Sequence, residues 1–142
     1  MILFLDTSSL FKLYHKEEGT EELVQFLRLQ RIEKVMISEL TLVEFNSTIW
    51  KKCRTKELNL PQARILMDAF NSDLQKYTVM PVSNEIIQRA RFLMEKYWDA
   101  GLRTLDSIQL ASVMAIEPAV DVFLTADHVL IEISKLEKIP NR

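Results

Sequence analysis

The sequence predicts an α/β fold, an α/β/α sandwich around a short parallel sheet, and three observations carry that expectation. The runs Ile2-Leu3-Phe4-Leu5, Val35-Met36-Ile37 and Val122-Phe123-Leu124 are continuously apolar, the pattern of strands buried on both faces. Segments of helical periodicity separate them, as crossover connections between parallel strands require. No repeat or low-complexity linker interrupts the alternation, and 142 residues are one domain of ordinary size, spanning 1–142.

Taken in order, the strand at 2–5 ends at Asp6, and Thr7-Ser8-Ser9 begin a helix reaching about His15. A second helix follows Gly19-Thr20 to about Gln30. After the strand at 35–38, a long helix runs over about 39–54. Pro61 sits in the first turn of the next helix, where its missing N–H is harmless. In that helix Ala63, Leu66, Met67, Phe70 and Leu74 recur at spacings of three and four, one apolar stripe. Residues 78–82 form a short strand broken by Pro81. Over 84–97, Ile86, Ala90, Leu93 and Tyr97 fall on one helical line. The helix at 105–116 is apolar almost all round and therefore buried, and Pro118 stops it before the strand at 122–124. A last short helix covers about 127–135.

Composition narrows the functional classes. Apolar content of 48% and charge of 27% are those of a soluble globular protein. A net charge of −2 exerts no overall pull on nucleic acid, so such binding must come from local patches. The single cysteine, Cys53, cannot form an internal disulfide, which fits a reducing cytosol. The N-terminal apolar run is too short for a membrane span and lacks a basic leader, so a cytoplasmic protein is expected.

Function should lie beyond the carboxyl ends of the strands, where parallel α/β sheets bind ligands. Asp6 and Asp127 fall at such ends, while Glu44 and Asp106 lie on helices that begin near the same edge. Each acid has an ordinary explanation. Asp6 and Asp127 could cap helices, and Thr41-Leu42-Val43-Glu44 could be a capping box. Asp106 resists one, because it is an unpaired acid in a helix with little polar surface. Carboxylates gathered at one edge repel unless a cation stands among them, so one divalent-metal site accounts for all four together.

These residues carry a resemblance. Ile2-Leu3-Phe4-Leu5 running into Asp6-Thr7-Ser8, then Thr41-Leu42-Val43-Glu44-Phe45, then Leu102 to Ala111 around Asp106, and finally Phe123-Leu124-Thr125-Ala126-Asp127 resemble, in order and over nearly the whole chain, a PIN-domain nuclease. The compact size and the Asp106 motif look most like the VapC-type toxins of toxin–antitoxin pairs. The resemblance implies a sheet of about five parallel strands and a Mg²⁺- or Mn²⁺-dependent endoribonuclease leaving a 5′-phosphate and a 3′-hydroxyl. It carries the catalytic and metal-binding roles to Asp6, Glu44, Asp106 and Asp127, with Thr7 or Ser8 and Thr125 as supporting hydroxyls. It also implies an antitoxin partner of the VapB kind, whose segment lies near the acids.

Hard oxygen ligands suit Mg²⁺ or Mn²⁺, which keep waters and meet phosphate directly. For RNA, the densest cationic run is Lys51-Lys52-Cys53-Arg54-Thr55-Lys56. Lys51, seven residues beyond Glu44, is expected to face the acids, and Lys52, Arg54 and Arg103 complete the candidate RNA contacts. The run would equally serve a helix C-terminus. His15 and His128 read as surface or helix-end residues rather than catalysts. The helix pair over 39–76 carries more apolar surface than a packed monomer needs, so a homodimer is expected. A dehalogenase-like phosphatase would need an acid where Ser8 stands, and nucleotide-binding folds need glycine-rich loops, whereas Gly19 and Gly101 are the only glycines. Two alternatives stay open: a housekeeping RNA-processing nuclease of the same fold, and a non-enzymatic binding module stabilised by metal.

Overall fold

The computed structural model describes every residue except Glu117. The elements are β1 (Ile2–Leu5), α1 (Thr7–Phe11), α2 (Thr20–Leu29), β2 (Lys34–Ser38), α3 (Leu40–Arg54), α4 (Leu60–Asp73), β3 (Thr78–Met80), α5 (Asn84–Lys96), α6 (Thr104–Met114), β4 (Val122–Leu124) and α7 (His128–Leu136). A 3₁₀ turn, Leu74–Lys76, links α4 to β3.

All strand pairings are parallel, in the order β3-β2-β1-β4. The chain steps outward from β1 to β3 and then crosses back to pair β4 with the other side of β1. That reversal opens a crevice beyond the ends of β1 and β4, the position where such sheets bind ligands. The two central strands are buried on both faces because each side chain finds a different core. Leu3, Leu5, Ile37 and Leu124 point to the layer of α1 to α4, whereas Phe4 and Phe123 point to that of α5 to α7. Phe45 and Phe70 stack with centroids 4.0 Å apart at the centre of the first layer. In the second, Ile86, Ala90, Leu93 and Tyr97 bury the predicted line of α5.

The structure corrects several expectations. Among the described residues the sheet has four strands rather than five. The place of a fifth is taken by the C-terminal residues, where Phe123 bridges Asn141 and donates its N–H to the Pro140 carbonyl at 2.7 Å. Proline has no N–H to continue a ladder, so the pairing stays a single bridge. β3 stops at Met80, before Pro81, for the same reason. α1 ends at Phe11 instead of His15, because residues 12–15 pass into tight turns in which Leu13 and Tyr14 donate to carbonyls three residues back. The loop then closes on Gly19, whose φ of +84° places it in the left-handed region open to glycine. Thr20 Oγ1 donates back to the Lys12 carbonyl at 3.2 Å. Among the described residues no helix is long and apolar enough to cross a membrane.

Candidate active site

Strand register builds the first half of the site. Leu5 lies opposite Leu124, so the next residues, Asp6 and Thr125, emerge side by side at the sheet edge. Asp6 donates its N–H to the Leu124 carbonyl at 3.1 Å, and the Thr125 hydroxyl donates to Asp6 Oδ2 at 2.5 Å. The other carboxylate oxygen, Oδ1, accepts from the Ser9 N–H at 2.9 Å and the Ser8 hydroxyl at 2.7 Å. Asp6 is thus the N-cap of α1 as well as a strand-end acid, and Asp127 plays the same double part for α7 through the Leu130 N–H. Capping does not remove either from the crevice, which both still line.

Helices supply the second half. Glu44 projects from α3, one turn beyond the buried Thr41, and Asp106 stands in the first turn of α6. Glu44 belongs to no capping box, since α3 has no side-chain cap and Thr41 already lies inside it. Together Asp6, Glu44, Asp106 and Asp127 line one cleft of about 310 Å³, which Thr7, Ser8, Arg103 and Lys52 also line. Neither histidine lines it.

Its electrostatics are those of crowded acids. Burial raises the Asp6 pKa from 3.8 to about 6, with the Asp106 carboxylate adding to it, against the hydrogen bonds from Thr125, Ser9 and Ser8. Burial also raises Asp106, assisted by Asp127 and opposed by Arg103. Asp106 is therefore not unpaired, contrary to the sequence expectation. Arg103 Nε donates to its Oδ2 at 3.0 Å, and Arg103 Nη2 stands 3.5 Å from Asp127 Oδ2. One exposed guanidinium spans two of the four acids.

The basic residues sort differently from expectation. Lys52 lines the cleft and Lys51 does not: the lining face of α3 runs Glu44, Thr48, Lys52, whereas Lys51 and Arg54 are exposed beyond it. Lys52 Nζ is engaged by Glu57 at 2.9 Å and Glu17 at 4.0 Å, and lies over the Phe11 ring. Gln109 was missed. It is buried and donates to Glu44, Thr7 and Thr41. Its signal was an amide one turn beyond Asp106 in an otherwise apolar helix, but periodicity does not say which neighbour a buried amide will find.

The donor set fits a hard divalent cation: all four acids present oxygen, and burial leaves Asp6 and Asp106 reluctant to carry charge without a positive partner. Among the described residues no three acids, histidines or cysteines stand close enough to hold an ion as placed. As placed, Asp106 and Asp127 each pair with the Arg103 guanidinium.

The fold and this strand-end cleft coincide with a family. The model of the PIN domain matches residues 3–136, and the chain belongs to that family. It is 30% identical over 132 residues to ribonuclease VapC47 of Mycobacterium tuberculosis (strain CDC 1551 / Oshkosh), covering 92% of this chain and 88% of that protein. Among solved structures, VapC20 of Mycobacterium tuberculosis, described as a sarcin-ricin loop cleaving toxin, superposes with a TM-score of 0.72 at 14% identity, covering 92% of this chain and 94% of that one. A chain of a toxin–antitoxin complex from Klebsiella pneumoniae gives 0.63 at 19% identity over 88% of this chain and 86% of its own. At these identities the structural likenesses establish the fold.

Proposed function

We propose that this protein is a divalent-metal-dependent endoribonuclease and the toxin of a toxin–antitoxin pair. The observation that carries the reading is the convergence of Asp6, Glu44, Asp106 and Asp127 on one cleft at the sheet's switch point, in a member of the PIN domain family. The 30% identity to a protein named as a ribonuclease supports the choice of RNA, and the likeness to a chain of a toxin–antitoxin complex supports an antitoxin partner.

Asp6, Glu44 and Asp106 would hold Mg²⁺ or Mn²⁺, with Asp127 as a further ligand or as the group that orients the attacking water. Such an ion supplies Lewis-acid activation of water and offsets the charge that gathers on phosphate. The chain's own residues do the rest. Ser8, Thr125 and the Ser9 N–H fix the Asp6 carboxylate, and Asp127 is anchored through Oδ1 to α7 while Oδ2 faces Arg103. Arg103 and Lys52 place positive charge at the walls of an acidic cleft that would otherwise repel RNA. The expected products carry a 5′-phosphate and a 3′-hydroxyl.

Incubation with RNA in Mn²⁺ or Mg²⁺ tests this. Cleavage should occur, stop on chelation, and be lost in Asp106→Asn while the circular dichroism spectrum stays that of the wild type. Full activity in Asp106→Asn would sink the metal-nuclease reading. A small neighbouring gene encoding a DNA-binding antitoxin separates the toxin from a housekeeping RNA-processing nuclease.

A further inference from the structure

The acids of the cleft are secured in two different ways. Asp106 and Asp127 share one exposed arginine. Glu44 is held from inside the protein. Gln109 Nε2 donates to Glu44 Oε1 at 2.7 Å, and the Thr7 hydroxyl donates to the same oxygen at 2.8 Å. The amide nitrogen also lies 3.0 Å from Thr41 Oγ1 and 3.2 Å from Thr7 Oγ1, so one side chain of α6 ties together α1 and α3.

The direction of the amide is set by chemistry. Turned over, it would aim its carbonyl oxygen at a carboxylate oxygen, two acceptors facing each other. The orientation that serves Glu44 leaves Gln109 Oε1 buried without a partner. Gln109 is 2% exposed, and an unpartnered carbonyl at such depth destabilises the fold. The buried side of α6 carries Leu110, Ala111 and Val113 beside the small hydroxyls of Ser107 and Ser112, which turn back to the helix's own carbonyls. An apolar side chain of similar length would pack there without that penalty.

We infer that Gln109 is a positioning residue for the reaction: with Thr7 it saturates Glu44 Oε1, fixes the carboxylate plane, and leaves Oε2 as the oxygen offered to the cleft. This rests on the metal-nuclease reading and adds to it a residue buried beneath the acids. Partners that orient a metal-binding carboxylate typically govern affinity or activity by about 10- to 100-fold. The same range is expected here.

The test compares wild type with Gln109→Met, which keeps the length and removes the amide. Four measurements are made on the whole chain: the melting temperature in chelator, Mn²⁺ affinity by calorimetry without RNA, RNA cleavage, and RNA affinity in chelator. The inference expects a melting temperature equal to or above wild type, Mn²⁺ binding weakened about 10- to 100-fold, and cleavage reduced by a similar factor. RNA affinity in chelator should be unchanged, because Gln109 is too deep to touch RNA. A purely structural glutamine would show the opposite pattern, a lower melting temperature with Mn²⁺ affinity preserved, and that result overturns the inference. Should Gln109→Met not fold, Gln109→Leu, which also lacks amide donors and adds no charge, is read in the same assays with the same two outcomes. A wild type that binds no Mn²⁺ and cleaves no RNA overturns the functional reading and this inference with it. A Gln109 variant that matches an active wild type overturns the inference alone.

Discussion

Replacing Asp6 by Asn in metal-free protein removes a buried charge, and the fold should become more stable for it near neutral pH. Asp6 is 4% exposed, and burial raises its pKa from 3.8 to about 6 despite three hydrogen bonds to the carboxylate. Between those two values the folded chain holds a proton that the unfolded chain has released. The contribution of Asp6 is therefore fully present below about pH 4 and is lost as pH rises through about 6. The gap corresponds to about 3 kcal/mol at neutral pH. Asparagine can occupy the same place: its carbonyl can accept from the Ser9 N–H and Ser8, and its amide can donate to Thr125 Oγ1. A gain of up to about 3 kcal/mol in a domain of this size raises the melting temperature by roughly 6–12 °C. Thermal melts of both proteins in chelator at pH 4 and pH 8 read the effect, with the difference expected at pH 8 and nearly absent at pH 4. Added Mn²⁺ should then stabilise the wild type by mass action and leave Asp6→Asn largely unmoved. Equal melting temperatures at pH 8 would refute the claim that Asp6 is a poorly compensated buried charge. A gain as large at pH 4 would assign the effect to packing instead.

Two other measurements probe the surface of the site and of the molecule. Arg103→Gln should change stability by less than about 1 kcal/mol, since the guanidinium is 76% exposed and its pairs are screened. It should weaken RNA binding in chelator and reduce the salt slope by about one ion; filter binding across a NaCl series with an unchanged slope would remove Arg103 from the RNA contacts. Val43 on α3 and Leu60 and Ile65 on α4 leave large apolar side chains exposed, so light scattering should return twice the 16.6 kDa chain mass; a monomer mass at micromolar concentration would count against the homodimer.

The strand-and-helix alternation was legible because it rests on local patterns. Apolar runs at 2–5 and 122–124, the stripe of α4 and the line of α5 each report burial through neighbours a few residues away. The four acids were legible for the same reason: strand ends and helix starts can be read locally, and parallel topology sends those ends to one edge. Limits appeared where pairing depends on distant chain. The number of strands turned on whether residues 140–142 would pair with β4, which Pro140 curtails. Whether Lys51 or Lys52 faces the acids depends on how α3 is rotated against α1, a packing angle rather than a sequence spacing. The Arg103 bridge needs the start of α7 beside that of α6, and the Gln109 contacts need α1, α3 and α6 to meet. By itself the sequence determined the α/β class, the order of its elements and the acids that gather at the sheet edge, because hydrophobic periodicity and strand ends are properties of a short window. Only the tertiary structure decided which cations and amides stand against those acids, because a long polar side chain takes its partner from whatever helix packing brings within about 3 Å.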